Sequence, residues 1–189
     1  MAWNYNTINV IIKQALTGSQ NYPLSTHIFG IPWEVVLIAI IVLIIAGIIS
    51  VRFRKRNVLC CLIWVEYIVL GYLSTVIFRP PKEVAEIRTE LFWGYKNGFH
   101  DGTTFPENFL NVLFFIPIGY LFCLLVRKHR IGLTLFVGFC FSLVIEVSQY
   151  FFKKGAFDID DLINNTIGTF VGCLLCMGLD AIRNLYKGI

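Results

Sequence analysis

The sequence predicts an all-α integral membrane protein, a bundle of about five transmembrane helices preceded by an interfacial N-terminal helix. Three observations lead there. Of the 189 residues, 57% are hydrophobic and 15% charged, at a mean hydropathy of +0.70, which is more apolar side chain than a water-soluble globule of this size can bury. The apolar residues fall into five runs long enough to cross a hydrocarbon core of about 30 Å, a distance that takes roughly 20 helical residues. Basic residues gather at the ends of those runs. The same balance excludes a disordered chain, a disulfide-rich secreted module and a nucleic-acid binder, because a net charge of +4 arises without a long basic tract.

Residues 1–32 form the outer interfacial segment, and 33–189 the transmembrane domain. In the first, Ile8, Ile11, Ile12, Ala15 and Leu16 share one helical face, as in a helix lying in the membrane interface. A loose amphipathic leader fits the same residues. The start lacks the charged region of a cleavable signal peptide. The first span runs from about Trp33 to Val51 and stops at Arg52, Arg54, Lys55 and Arg56. The second, about Asn57 to Phe78, is broken by Glu66 and ends at Arg79 before Pro80 and Pro81. The third, about Glu107 to Val126, ends at Arg127, Lys128 and Arg130, and Pro117 is expected to open it near mid-depth. The fourth, about Ile131 to Phe152, contains Glu146 and ends at Lys153 and Lys154. The fifth, about Ile159 to Leu179, opens with Asp160 and Asp161 and leads to a short tail with Arg183 and Lys187.

Lys and Arg concentrate in the short turns after the first and third spans and in the tail, which places those on the inner side and gives an outer N-terminus and a cytoplasmic C-terminus. The long second loop then lies outside, with Phe92, Trp93, Tyr95, Phe99 and Phe105 around three glycines. Such rings sit at headgroup depth or bind a ligand. All six cysteines, Cys60, Cys61, Cys123, Cys140, Cys173 and Cys176, fall inside spans, where they read as small apolar residues. Gly168 and Gly172 read as a close helix contact.

Ionisable groups in hydrocarbon are costly unless they face a bundle interior, and here they are not scattered. Ser142, Glu146 and Gln149 share one face of the fourth span, and Asp161 and Asn165 lie one turn apart on the fifth. Asn108 and Asn111 are in the outer half of the third, Asp158 and Asp160 precede the fifth, and Arg79 closes the second. The spacing predicts an outward polar pocket lined by Arg79, Asn111, Ser142, Glu146, Gln149, Asp158, Asp161 and Asn165, with Arg79 the nearest countercharge. Glu66 is nearer the inner half, as a separate buried carboxyl. Plain alternatives exist: Asp158, Asp160 and Asp161 are ordinary first-turn acids, and Ser142 and Asn111 can simply join helices. Glu146 has no capping role.

These residues resemble the VanZ-like family. Asn111-Val-Leu-Phe-Phe-Ile-Pro117-Ile-Gly119 is similar to its Asn-aliphatic-Phe-x-Pro-x-Gly stretch, and Ser142-x-x-Ile145-Glu146-x-x-Gln149 to its Ser-x-x-Ile-Glu-x-x-Gln signature. Asp158-Ile-Asp160-Asp161 through Asn165-Thr-Ile-Gly168 and Gly172 resembles its closing motif, and Tyr72, Thr75 and Arg79 its Tyr-x-x-Thr and terminal Arg. The resemblance covers about Tyr67 to Gly178. It departs in the outer loop, where many members carry Asn-Leu-Ile-Pro-Phe and this chain reads Arg88-Thr-Glu-Leu-Phe92-Trp-Gly-Tyr95.

The resemblance implies a bacterial plasma-membrane protein associated with resistance to teicoplanin and related lipoglycopeptides. The leading expectation is an outward pocket binding an amphiphilic or lipid-linked ligand. Glu146 and Gln149 would hold polar headgroup atoms, Arg79 an anionic group, and the loop aromatics an acyl chain. Expected partners are membrane lipids, lipid-linked cell-wall intermediates or a lipoglycopeptide, with no nucleic acid and no resident cofactor or metal. Two other classes remain open. In one, Glu146, Asp158, Asp161 and Asn165 hold Mg²⁺ or Mn²⁺ against a lipid phosphate. In the other, Glu146 titrates in proton-coupled transport, with Glu66 as an inner relay.

Overall fold

The computed structural model describes residues 27–28, 31–53, 56–93, 104–126 and 130–187. The interfacial helix expected around Ile8 to Leu16 lies outside those residues, as do Tyr95, Phe99 and the side chain of Phe105. A short hairpin, β1 (His27–Ile28) against β2 (Ile31–Pro32), leads into α1 (Trp33–Phe53). α2 (Arg56–Tyr72) runs on into a π turn, Leu73–Ile77. Then follow β3 (Glu86–Arg88), α3 (Thr104–Leu125), α4 (Arg130–Phe151), β4 (Ala156–Asp158) and α5 (Ile159–Lys187). The protein is therefore an all-α membrane bundle. Among the described residues four helical segments are long and apolar enough to cross a membrane: Asn57–Ile77, Glu107–Leu125, Arg130–Phe151 and Ile159–Tyr186. α1 is a further helix of 21 residues with Ile38, Ile41, Ile44 and Ile48 exposed, which suits lipid contact.

Helix ends are chemically determined. α4 stops in a Schellman motif: Lys154 N–H donates to Gln149 O at 2.7 Å and Lys153 N–H to Tyr150 O at 3.1 Å. Lys153 takes the left-handed conformation this motif needs, at φ 53°. Asp158 caps α5, its Oδ1 accepting the Asp160 N–H at 2.9 Å. Two expectations are corrected. α3 continues through Pro117 instead of opening there; on either side of it, Tyr67 OH donates to Phe114 O at 3.0 Å and Trp64 Nε1 to Ile118 O at 3.2 Å, so α2 braces the helix where proline withdraws a backbone donor. The tail after Leu179 is helical to Lys187, and Arg130 Nη1 holds its Asp180 at 2.5 Å across the start of α4.

The tightest contact joins α3 and α5. A Cβ on Gly168 would lie 2.2 Å from Val112 O, one on Gly172 would lie 2.0 Å from Ile116 O, and one on Gly119 would lie 2.0 Å from Thr169 O. The two backbones touch, as expected of the Gly168–Gly172 pair. Val112 meets Gly168 and Ile116 meets Gly172, so the helices run parallel. α4 lies antiparallel against α5, with Gly138 against Thr169 and Ser142 against Asn165. Val76, Phe115, Ile118 and Ile145 form one buried cluster with Tyr67, Tyr72, Phe114 and Phe141 around it. Cys123, Cys173 and Cys176 form a second with Tyr120 and Met177. None of the six cysteines is in a disulfide, in keeping with their apolar reading.

Gly168→Ala and Gly172→Ala should each destabilise the bundle by about 1–3 kcal/mol, the usual range for overpacking. Gly132→Ala and Gly178→Ala, where an added Cβ meets nothing within 4 Å, should leave it unchanged. Thermal unfolding of the purified protein in detergent checks both pairs.

Candidate functional site

The polar residues cluster where α3, α4, α5 and the π turn meet. On α4, Ser142, Glu146 and Gln149 form one buried stripe at 0%, 2% and 4% exposure. On α5, Asn165 and Thr169 are also buried, and Asp161 is half-buried. Antiparallel packing turns these stripes toward each other. Asn165 Nδ2 donates to Ser142 Oγ at 2.8 Å, and Thr169 Oγ1 to Asn165 O at 2.9 Å. From the third helix, Asn111 Nδ2 donates to Asp161 Oδ1 at 2.6 Å. Glu146 Oε2 accepts the Asp158 backbone N–H at 3.0 Å. A carboxylate within α4 therefore fixes the strand that enters α5.

The π turn supplies the fourth wall. Widening the helix there points the Thr75 carbonyl sideways, where it accepts Gln149 Nε2 at 3.1 Å. Thr75 Oγ1 turns back to Gly71 O at 2.8 Å, and Tyr72 OH donates to Ser148 Oγ at 3.0 Å. Arg79 follows directly. Its backbone carbonyl accepts Lys154 Nζ at 2.6 Å, and the positive charge of its guanidinium acts on both Glu146 and Asp161. Among the described residues that guanidinium has no hydrogen-bond or ion-pair partner. Two further polar atoms, Asn165 Oδ1 and Asn108 Nδ2, are buried without a hydrogen bond among the described residues.

A parallel ladder closes the end of the bundle. Glu86 pairs with Ala156, Ile87 with Phe157 and Arg88 with Asp158. Arg88 Nη2 donates to Glu86 Oε2 at 2.7 Å, holding the Glu86 carboxyl below its ordinary pKa, and its Nη1 lies 3.9 Å from Asp158 Oδ2. The same guanidinium sits over the Trp93 ring, 4.5 Å from its centroid. Asp160 Oδ1 accepts the Phe92 backbone N–H at 2.7 Å, with Phe92 at φ 62°. Burial raises the Asp158 carboxyl above its ordinary pKa, and the neighbouring Asp160 charge adds to this.

All eight residues expected in the pocket thus lie at this meeting of elements, six of them joined by direct hydrogen bonds in three groups: Asn111 with Asp161, Ser142 with Asn165, and Glu146 with Asp158. Gln149 reaches the π turn, and Arg79 acts through charge. Asp158 is the cap; Asp160 holds the loop before α3. Glu66 lies apart, with Oε2 buried and unpartnered among the described residues. Those residues contain no group of three His, Cys, Asp or Glu side chains close enough to hold a metal ion. The ladder and the Asp160–Phe92 bond were not foreseen. The polar–apolar–polar run Glu86-Ile87-Arg88 is a weak local signal for β3, and Ala156-Phe157-Asp158 carries no such alternation.

The VanZ/LLP1 family model matches residues 35–182. Over 73 residues the chain is 42% identical to a protein of Enterococcus faecium named Protein VanZ, a match covering 38% of this chain and 44% of that one. The matched segment thus spans less than half the length of that relative. No solved structure matches the chain.

Asp158→Ala should remove the α5 cap and cost about 0.5–2 kcal/mol, whereas Asp158→Asn keeps the acceptor and the cap. A carboxyl whose pKa is raised on folding contributes stability that is fully present below its unfolded pKa and lost as pH rises through the folded value. Asp158→Asn should therefore gain on the wild type as pH rises out of the acid range, as read by unfolding midpoints across a pH series.

Proposed function

As the chain belongs to the VanZ/LLP1 family, we propose that it lowers susceptibility to teicoplanin-type lipoglycopeptides by binding an amphiphilic or lipid-linked ligand at the polar site around Arg79 and Glu146. The protein would sit in the bacterial plasma membrane with its N-terminus outside and C-terminus in the cytoplasm, so that this site opens toward the outer leaflet. Membrane lipids, a lipid-linked cell-wall intermediate or the lipoglycopeptide itself are the candidate ligands.

One observation carries the reading. A guanidinium without a hydrogen-bond or ion-pair partner among the described residues lies within electrostatic reach of Glu146 and Asp161, whose own hydrogen bonds go to Asp158 N–H and Asn111. Polar groups at a span end ordinarily pair within the protein or with headgroups, and a half-buried cation left uncommitted just past Ile77 is a candidate binding position. Arg79 would take an anionic group, carboxylate or phosphate, in a bidentate grip. Asn165 Oδ1 and Asn108 Nδ2 offer one acceptor and one donor for neighbouring polar atoms. Gln149 then acts through Thr75, keeping the π turn and hence Arg79 in place.

Loss of a charged hydrogen bond of about 1.5–3 kcal/mol lowers affinity roughly 10- to 100-fold. Arg79→Ala and Glu146→Gln should therefore return lipoglycopeptide susceptibility to that of cells lacking the protein, with Arg79→Lys intermediate. Unchanged susceptibility in both variants, at equal membrane abundance by immunoblot, would overturn the reading.

A further inference from the structure

A groove of about 720 Å³ runs along the lipid-facing seam between α4 and α5, on the flank next to the polar site. Leu135 and Phe139 form one wall, Ile163, Ile167 and Phe170 the other, and Leu91 from the loop before α3 lies at one end beside Ile159. Its size is within the range of about 300–1,000 Å³ that small-ligand sites occupy.

The wall is hydrocarbon throughout. Its single polar side chain, Thr166, spends its hydroxyl on Leu162 O at 2.7 Å, so nothing in the groove can satisfy water or a polar ligand. From Ile159 to Phe170 the groove follows eleven residues of helix, about 16 Å at 1.5 Å per residue. A single leaflet contributes about half of a 30 Å hydrocarbon core. The two lengths agree. At the boundary the groove ends at Leu91, whose neighbour Phe92 is held by the Asp160 carboxylate, next to the Arg88, Trp93 and Asp158 group at the mouth of the polar site.

We propose that this groove holds one acyl chain, the tail of the amphiphile whose polar part engages Arg79. The inference rests on the binding reading above for the identity of the tail's owner. The one-leaflet length, closed at the boundary by Leu91, selects an acyl chain over a polyprenyl chain, which extends well beyond one leaflet. It also relocates the tail from the loop aromatics to the α4–α5 seam. Lipid and protein interiors are equally apolar, so retention comes from van der Waals packing rather than the hydrophobic effect.

The test uses the full chain in vesicles containing phosphatidylglycerol with a photoreactive diazirine on one acyl chain, and maps labelled residues by mass spectrometry. Ile167 and Phe170 should be labelled about tenfold more than the comparably exposed Leu62, Val65 and Val69 of α2, a ratio equal to about 1.4 kcal/mol. Ile163→Trp fills the groove and should remove that preference without changing α2 labelling. Ile167→Trp, at an exposed rim position that tolerates bulk, should do the same and guards against misfolding of the first variant. Labelling in proportion to exposure, or stronger groove labelling by a diazirine-bearing polyprenyl phosphate, would overturn the proposal. Arg79→Ala in the same vesicles keeps the two ideas distinct: groove preference should fall toward the α2 level, because head and tail belong to one molecule, and preference that persists there while the susceptibility phenotype is lost would overturn the link between the groove and Arg79. Loss of groove preference in the wild type with an intact susceptibility effect of Arg79→Ala would sink the groove alone.

Discussion

The contact of α3 with α5 sets the position of every other polar group. Hydrocarbon gives no drive for two apolar helices to associate, so close approach must come from shape. Gly119, Gly168 and Gly172 allow the backbones to meet, and that approach sets Asn111 within hydrogen-bond distance of Asp161. α4 then completes the unit from the other side, its Gly138 seated on Thr169 and its Ser142 on Asn165. Any larger residue at the glycines would hold the helices apart and open the site along its length.

The site inherits its chemistry from that geometry. Carboxyls near a membrane interior need donors, and here three of the donors come from backbone N–H groups: Asp158 for Glu146, Asp160 for Asp158, and Phe92 for Asp160. The chain of acceptors runs from within α4 out to the loop, linking the buried stripe to the surface strap. Arg88 answers the acidic end through Glu86 and Asp158, whereas Arg79 stays available beside Glu146 and Asp161. The two arginines thus differ: Arg88 is tied into the scaffold, whereas the guanidinium of Arg79 has no hydrogen-bond or ion-pair partner among the described residues.

Much of this was legible in the sequence, for a physical reason. Within a helix, spacing fixes which residues share a face, so Ser142, Glu146 and Gln149 could be grouped, and so could Asp161 and Asn165. Hydrocarbon sharpens the inference, because a polar side chain there must turn inward. The spans themselves followed from length and apolarity, with errors of a few residues at most of their ends. What escaped was set by partners far along the chain or by backbone atoms. The Glu86–Arg88 ladder depends on residues 70 positions away, and the π turn is visible only through the carbonyl it redirects to Gln149. Pro117 misled for the same reason, since the groups bracing α3 belong to α2. The helical extension beyond Leu179 likewise has a distant partner, the ion pair of Asp180 with Arg130, 50 residues earlier.

The parallel pairing of α3 and α5 also bears on how the protein is made. Parallel neighbours cannot be joined by a tight turn, so α4 has to be threaded through the membrane between them, and α3 leaves the ribosome well before its partner exists. During that interval Asn108 and Asn111 sit in the bilayer with neither Asp161 nor a glycine face to meet. α5 carries Asp161, Asn165, Gly168 and Gly172 together, so its arrival supplies the partners that α3 and α4 meet in the packed bundle. A nascent chain halted before α5 would leave Asn111 without the Asp161 carboxyl that accepts its hydrogen bond in the finished bundle.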